Sequence, residues 1–250
     1  MARAPVPFLL ATAALGPVLA AQGRRGRRRV PRLPEPPGAR EGETGEGPPL
    51  ALLLLGDSSV AGVGAGSQDE ALLGRTVEAL ARRRRVRYRS LARTGWTTRD
   101  ALAALEALPP ERFDVALTGL GVNDVTGGVP LGRWLEDQAR LRERLAARCG
   151  VALAVVSGLP PMGRFPALPQ PLRAWLGARA GHFDRALEAA LADDPRAAFV
   201  PLRTFSDGAT TSADGFHPGP GAYREWAARA VAAIEGARAP DGAYRASTWK

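Results

Sequence analysis

The 250-residue chain reads as an α/β protein built on a parallel sheet of five strands. Three observations predict this. A nearly unbroken apolar run, Leu50-Ala51-Leu52-Leu53-Leu54-Leu55, suits a central parallel strand covered on both faces. Short apolar runs then alternate with longer helical patterns down the chain, as βα repeats do. Finally, several of the runs end abruptly in small polar turns, and ligands of open α/β sheets collect outside the carboxyl ends of the strands.

In order, strands are expected near 50–56, 86–92, 113–120, 151–157 and 197–202. Helices are expected near 69–85, 98–108, 131–148, 172–193 and 219–236. Together they make one domain over residues 50–236, long enough for a substantial core. Ahead of it lie a hydrophobic segment, residues 1–22, and a linker, residues 23–49, basic at first and then rich in Pro, Gly and Glu. A C-terminal tail, residues 237–250, follows the last helix.

The stretch Pro5 to Ala21 is apolar over 17 residues, holds three prolines and follows Arg3. Its end, Val18-Leu19-Ala20-Ala21, fits a signal peptide with a small-residue cleavage site. It is also marginally long enough to span a bilayer. Arg24, Arg25, Arg27, Arg28 and Arg29 follow at once, and positive charge resists export of what comes next. The expectation is therefore membrane association, through an anchor with the domain on the cytoplasmic side or an interfacial hairpin; export by a cleaved signal stays open.

The net charge of +9 does not point to nucleic acid. Nearly all of the positive charge is arginine, Lys250 being the single lysine, and the abundant alanine beside it fits a GC-rich coding bias. The basic runs Arg24 to Arg29 and Arg82 to Arg85 carry no interleaved aromatics on which bases would stack. The first suits anionic lipid headgroups beside its apolar neighbour, and the second complements a helix C-terminus. Cys149 is alone, so no internal disulfide forms, and no Cys/His cluster offers a metal site. No cofactor is expected.

The chemistry concentrates in four places. Gly56-Asp57-Ser58 puts a potential nucleophile on the turn after the first strand, although Gly, Asp and Ser are also ordinary turn residues. A hydroxyl needs a base to attack, usually an imidazole oriented by a carboxylate. Asp214-Gly215-Phe216-His217-Pro218 offers both, with Asp214 three residues before His217, near enough in a tight turn to reach Nδ1 and leave Nε2 for a serine. The same residues also read as a turn leading into a helix. His182, the other histidine, lies in a helical pattern and reads as structural or solvent-facing. Gly95 in Thr94-Gly95-Trp96 and Asn123 in Gly121-Val122-Asn123-Asp124 can donate to a developing oxyanion, or simply serve a helix cap and an Asx turn. Four such features at strand ends favour a site.

In these segments the chain resembles the SGNH hydrolases, the GDSL-type esterases and lipases: Gly56-Asp57-Ser58, Gly95, Gly121-Val122-Asn123-Asp124 and Asp214-Gly215-Phe216-His217 look like blocks I, II, III and V. The resemblance covers about residues 50 to 236 and implies a flavodoxin-like three-layer α/β/α sandwich. It implies Ser58 as nucleophile, His217 as general base and then acid, and Asp214 as orienting carboxylate. It further implies an oxyanion hole from the Ser58 and Gly95 backbone N–H groups and the Asn123 amide. Ser59 departs from the family pattern, which has leucine there. The implied activity is hydrolysis of carboxylic esters or thioesters, of lysophospholipid or acyl-thioester type. Removal of O-acetyl groups from carbohydrate, or a catalytically silent binding module, are the alternatives.

The loop Ser157 to Pro171 carries five prolines and should rise from the same sheet edge. Met162, Phe165 and Leu168 on it, with Trp96 beside Gly95, are candidates for the wall of an acyl or alkyl pocket, or else pack the loop down. The expected partner is a small-molecule or lipid ester.

Overall fold

The computed structural model describes residues 6–29, 31–205 and 211–237. The C-terminal tail expected from residue 237 lies, beyond Ala237, outside the described residues. The elements in chain order are α1 (Val6–Arg29), β1 (Glu41–Thr44), β2 (Pro49–Gly56), α2 (Leu72–Ala81), β3 (Arg85–Ala92) and α3 (Thr98–Ala107). They continue with β4 (Val115–Gly119), α4 (Val122–Gly127), α5 (Leu131–Cys149), β5 (Leu153–Ser157), α6 (Leu172–Leu191), β6 (Ala197–Val200) and α7 (Pro220–Gly236). A 3-10 turn, Met162–Arg164, lies between β5 and α6.

The sheet has six strands in the order β1-β3-β2-β4-β5-β6, and every pairing is parallel except β1 on β3. The five parallel strands follow the flavodoxin-like order, in which the chain leaves β2 toward one edge and returns to start β4 on its other side. Side-chain parity separates two cores. Leu50, Leu52 and Leu54 of β2 meet α2 and α7 through Leu73, Leu80, Tyr223 and Trp226. Leu53 and Leu55 face α3 and α5 through Leu102, Leu105 and Leu145, while Ala154 and Val156 of β5 on the same face meet α6. The consecutive leucines are buried because both faces of the strand are covered.

The sixth strand corrects the expected count of five, and it comes from the segment expected to be linker. Glu41-Gly42-Glu43-Thr44 has no apolar alternation and is exposed throughout. Cross-strand charge holds it instead: Glu41 stands opposite Arg89 and pairs with it at 2.6 Å, and Glu43 pairs with Arg85 at 3.4 Å. Just before it, Glu35 accepts hydrogen bonds from the Thr94 backbone N–H and hydroxyl, and Pro36 O accepts from Gln68. Residues 23–29 continue α1. The stretch 23–49 is thus largely built into the fold, because its carboxylates and carbonyls find donors on the domain.

The hydrophobic N-terminal segment belongs to α1, which docks on α6. Leu19 is buried in the α6-side core, Thr12 Oγ1 accepts from Trp175 Nε1 at 2.8 Å, and Gln22 both donates to Gln170 O and accepts from Leu172 N. Among the described residues, no helix is long and apolar enough to cross a membrane.

Candidate active site

The register of the sheet brings three site loops to one point. Gly56 at the end of β2 pairs with Ala92 at the end of β3 and with Gly119 at the end of β4, so Ser58, Gly95 and Asn123 leave the same edge side by side. This is the topological switch point of the sheet. Gly56 is glycine for lack of room: a Cβ there would lie 2.6 Å from the Gly119 carbonyl oxygen and 2.3 Å from Val60 Cγ2.

The fourth loop comes from the opposite end of the chain. Ser212 N donates to His217 O at 2.8 Å, and an isolated bridge pairs Thr211 with Pro218, folding residues 211–218 into a compact hairpin before α7. Asp214 sits inside it. One carboxylate oxygen, Oδ1, accepts from the Ser212 hydroxyl and from the backbone N–H groups of Phe216 and His217 at 2.8–2.9 Å. The other, Oδ2, lies 2.6 Å from His217 Nδ1. Burial alone would raise the Asp214 carboxyl, but these donors outweigh it and hold the group below its ordinary range.

His217 Nε2 in turn lies 2.9 Å from Ser58 Oγ, and Ser58 is only 8% exposed. The adjacent serine has a different setting. Ser59 N–H is taken by Asp57 Oδ1, and its hydroxyl has no contact with the imidazole among the described bonds.

Around Ser58 the polar donors converge. Gly95 has φ of +89°, a left-handed conformation that favours glycine. Neither the Gly95 nor the Ser58 N–H donates to a carbonyl among the described residues. Asn123, at the start of α4, donates one amide hydrogen to Trp96 O at 2.8 Å, which fixes the plane of the amide and leaves the second hydrogen available. Where an Asx turn is the alternative reading of Asn123-Asp124, the structure has the short helix α4, and its Asp124 ties the loops together. Asp124, 1% exposed, accepts from both the N–H and the hydroxyl of Thr98, and that hydroxyl also receives Trp134 Nε1 and Gln138 Nε2. Burial pushes the Asp124 carboxyl up, and it pushes Asp57 up to about 7, with the nearby Asp124 charge adding to the effect.

The chain matches the model of the GDSL-like lipase/acylhydrolase family over residues 54–225. It belongs to that family. Among relatives of known sequence it is 32% identical over 146 residues to a GDSL-like esterase, Rv1075c, of Mycobacterium tuberculosis. That match covers 56% of this chain and 45% of the relative, so the chain spans less than half of the relative's length. Among solved structures, a lipolytic G-D-S-L family member from Veillonella parvula superimposes with a TM-score of 0.60 at 12% identity, over 74% of this chain and 98% of that one. The psychrotrophic esterase EstA of Pseudoalteromonas sp. gives 0.55 at 19%, over 74% and 97%. At such identities these two show the fold alone.

The GDSL-family chain here has two spaces meeting at Ser58. The smaller, about 260 Å³, is lined by Ser59, Pro160, Phe165, Phe205 and Phe216 among others. The larger, about 1000 Å³, includes Gly95, Asn123, His217, Leu168 and a face of α1. Phe165 lines the smaller space and Leu168 the larger, while Met162 and Trp96 line neither. The 3-10 turn sends Met162 into the core against α6, where it is fully buried, and the Trp96 ring packs on the α3/α5 core while its carbonyl orients Asn123. His182 lies half-buried on α6, its Nε2 without a hydrogen-bond partner.

Two contributions escape sequence reasoning. Asp124 gives a signal, an acidic residue directly after the oxyanion candidate, but its burial is visible only in three dimensions. The α1 wall gives none, since nothing local in Thr12 to Gly26 points to a site 30 or more residues away.

Proposed function

We propose that this family member hydrolyses carboxylic esters or thioesters by a serine mechanism through an acyl-enzyme. The observation that carries the reading is the continuous line from Asp214 through His217 to Ser58, at 2.6 and 2.9 Å.

Ser58 Oγ attacks the acyl carbon while His217 Nε2 takes its proton, and Asp214 holds the Nδ1–H tautomer and balances the imidazolium that forms. The carbonyl oxygen becomes an oxyanion among the Ser58 and Gly95 N–H groups and the second hydrogen of Asn123. His217 then passes its proton to the departing oxygen or sulfur. Water, deprotonated by the same imidazole, attacks the acyl carbon and frees the acid and Ser58. The apolar lining of both spaces supports an ester with apolar substituents over an acetylated sugar.

A p-nitrophenyl butyrate assay paired with labelling by a fluorophosphonate tests the reading. Ser58→Ala is expected to lose both turnover and labelling, and Ser59→Ala to keep both. Wild-type turnover in Ser58→Ala would end the proposal.

A further inference from the structure

Helix α1 borders the same large cavity as Ser58 and His217. Its residues Thr12, Gly16, Leu19, Ala20, Gly23 and Gly26 recur at steps of three and four, so they share one face, and all of them line the larger cavity opposite Ser58 and His217. The helix is held there from the side: the Trp175–Thr12 bond, the two Gln22 bonds and the buried Leu19 dock it on the start of α6. Apart from Thr12 and Leu19, the residues of this face are glycine or alanine. A Cβ built on Gly16 meets nothing within 4 Å, so the space there is open.

The direction of each substituent at the reacting carbon follows from the donors around it. The oxyanion points to Gly95 and Asn123, and the leaving group must lie beside His217 Nε2 to receive its proton. Those three residues border the larger cavity and none borders the smaller one. The acyl substituent takes the remaining direction from Ser58, into the smaller space that Phe165, Phe205 and Phe216 line.

We propose that α1 is the outer wall of the leaving-group chamber and that its small face at Gly16 and Ala20 admits a bulky apolar alcohol or thiol, paired with a shorter acyl group. The proposal rests on the serine-hydrolase reading above and adds to it which side of the ester is large and which residues set the limit. It also makes Thr12 to Gly26 part of the working site, so removal of residues 1–21 as a signal would open the chamber to water.

The test varies the two sides of the ester separately in the full chain. Wild type, Gly16→Leu and Ala20→Leu are assayed by pH-stat on butyrate esters of ethanol, octanol and dodecanol, and on ethyl esters of acids from acetate to laurate. Ala20→Leu keeps a strong helix former in place, and it controls for Gly16→Leu, whose new Cβ crowds the Pro17 ring. In both variants, filling the chamber is expected to raise the ratio of KM for dodecyl butyrate to KM for ethyl butyrate about tenfold or more, the scale of apolar pocket discrimination. An unchanged alcohol-length profile in both variants, or a shift in acyl-length preference instead, overturns the proposal. Fluorophosphonate labelling of wild type separates the two levels: a labelled, active enzyme with unaltered profiles sinks only the α1 assignment. A protein that neither labels nor hydrolyses any ester sinks the serine mechanism and this inference with it.

Discussion

Asp214 Oδ2 lies 2.6 Å from His217 Nδ1, while Oδ1 of the same carboxylate is saturated by three donors from its own hairpin. The carboxylate is thereby locked in plane before it ever meets the imidazole. Its ionised form is favoured, which keeps a negative charge beside Nδ1 throughout the ordinary pH range.

Replacing that charge tests its role directly. In Asp214→Asn the amide nitrogen competes for the position facing Nδ1, and the imidazole turns to the tautomer that cannot accept from Ser58. A fall in kcat of about 10⁴-fold is expected, with KM little changed, as for loss of the orienting carboxylate in serine triads. Steady-state kinetics with a short-chain aryl ester would show it. A loss confined to KM would mean that Asp214 shapes the pocket and does not orient the base.

Asn123 offers a second measurement. Its amide is already half-committed to Trp96 O, so the remaining hydrogen is aimed without cost when the oxyanion forms. Asn123→Ala is expected to lower kcat by about 10²–10³-fold, the usual effect of deleting one oxyanion donor. The rate of fluorophosphonate labelling should fall alongside, since that reaction also builds negative oxygen at the site. Turnover within about twofold of wild type would remove Asn123 from the oxyanion hole.

What could be read in the chain was what is local. The leucine run of β2 has the burial its periodicity implies, and the polar turns after β2, β3 and β4 carry Ser58, Gly95 and Asn123 in short segments whose residue types state their chemistry. That Gly56 would align with both Ala92 and Gly119 depends on sheet register, yet the βα order already constrains it. The misses are tertiary. Glu41-Gly42-Glu43-Thr44 becomes a strand only because Arg89 stands opposite Glu41 and Arg85 reaches Glu43, and partners so far apart in sequence leave no local pattern. Met162 and Trp96 have the right chemistry for a pocket wall, but which way a loop side chain turns is decided by the core it finds. Asp57 reads as a turn residue and is in fact buried, at 3% exposure, against the sheet end.

That burial of Asp57 gives the last prediction. Its carboxyl is pushed up to about 7, first by burial and then by the Asp124 charge, against an ordinary unfolded value of about 3.9. Between these two values the folded protein keeps a proton that the unfolded chain has released. Stability therefore falls as pH rises from about 4 to 7 and levels off above, where both states are ionised. Asp57→Asn can still accept from Ser59 N–H through its carbonyl oxygen but cannot ionise, so it escapes this loss. Thermal melts of both proteins from pH 4 to 9 should show the Tm of wild type minus that of the variant declining across this window and constant above it. Parallel curves over the whole range would show that Asp57 does not titrate near 7 in the folded state, and that hydrogen bonding at the end of β2 keeps it ionised despite its burial.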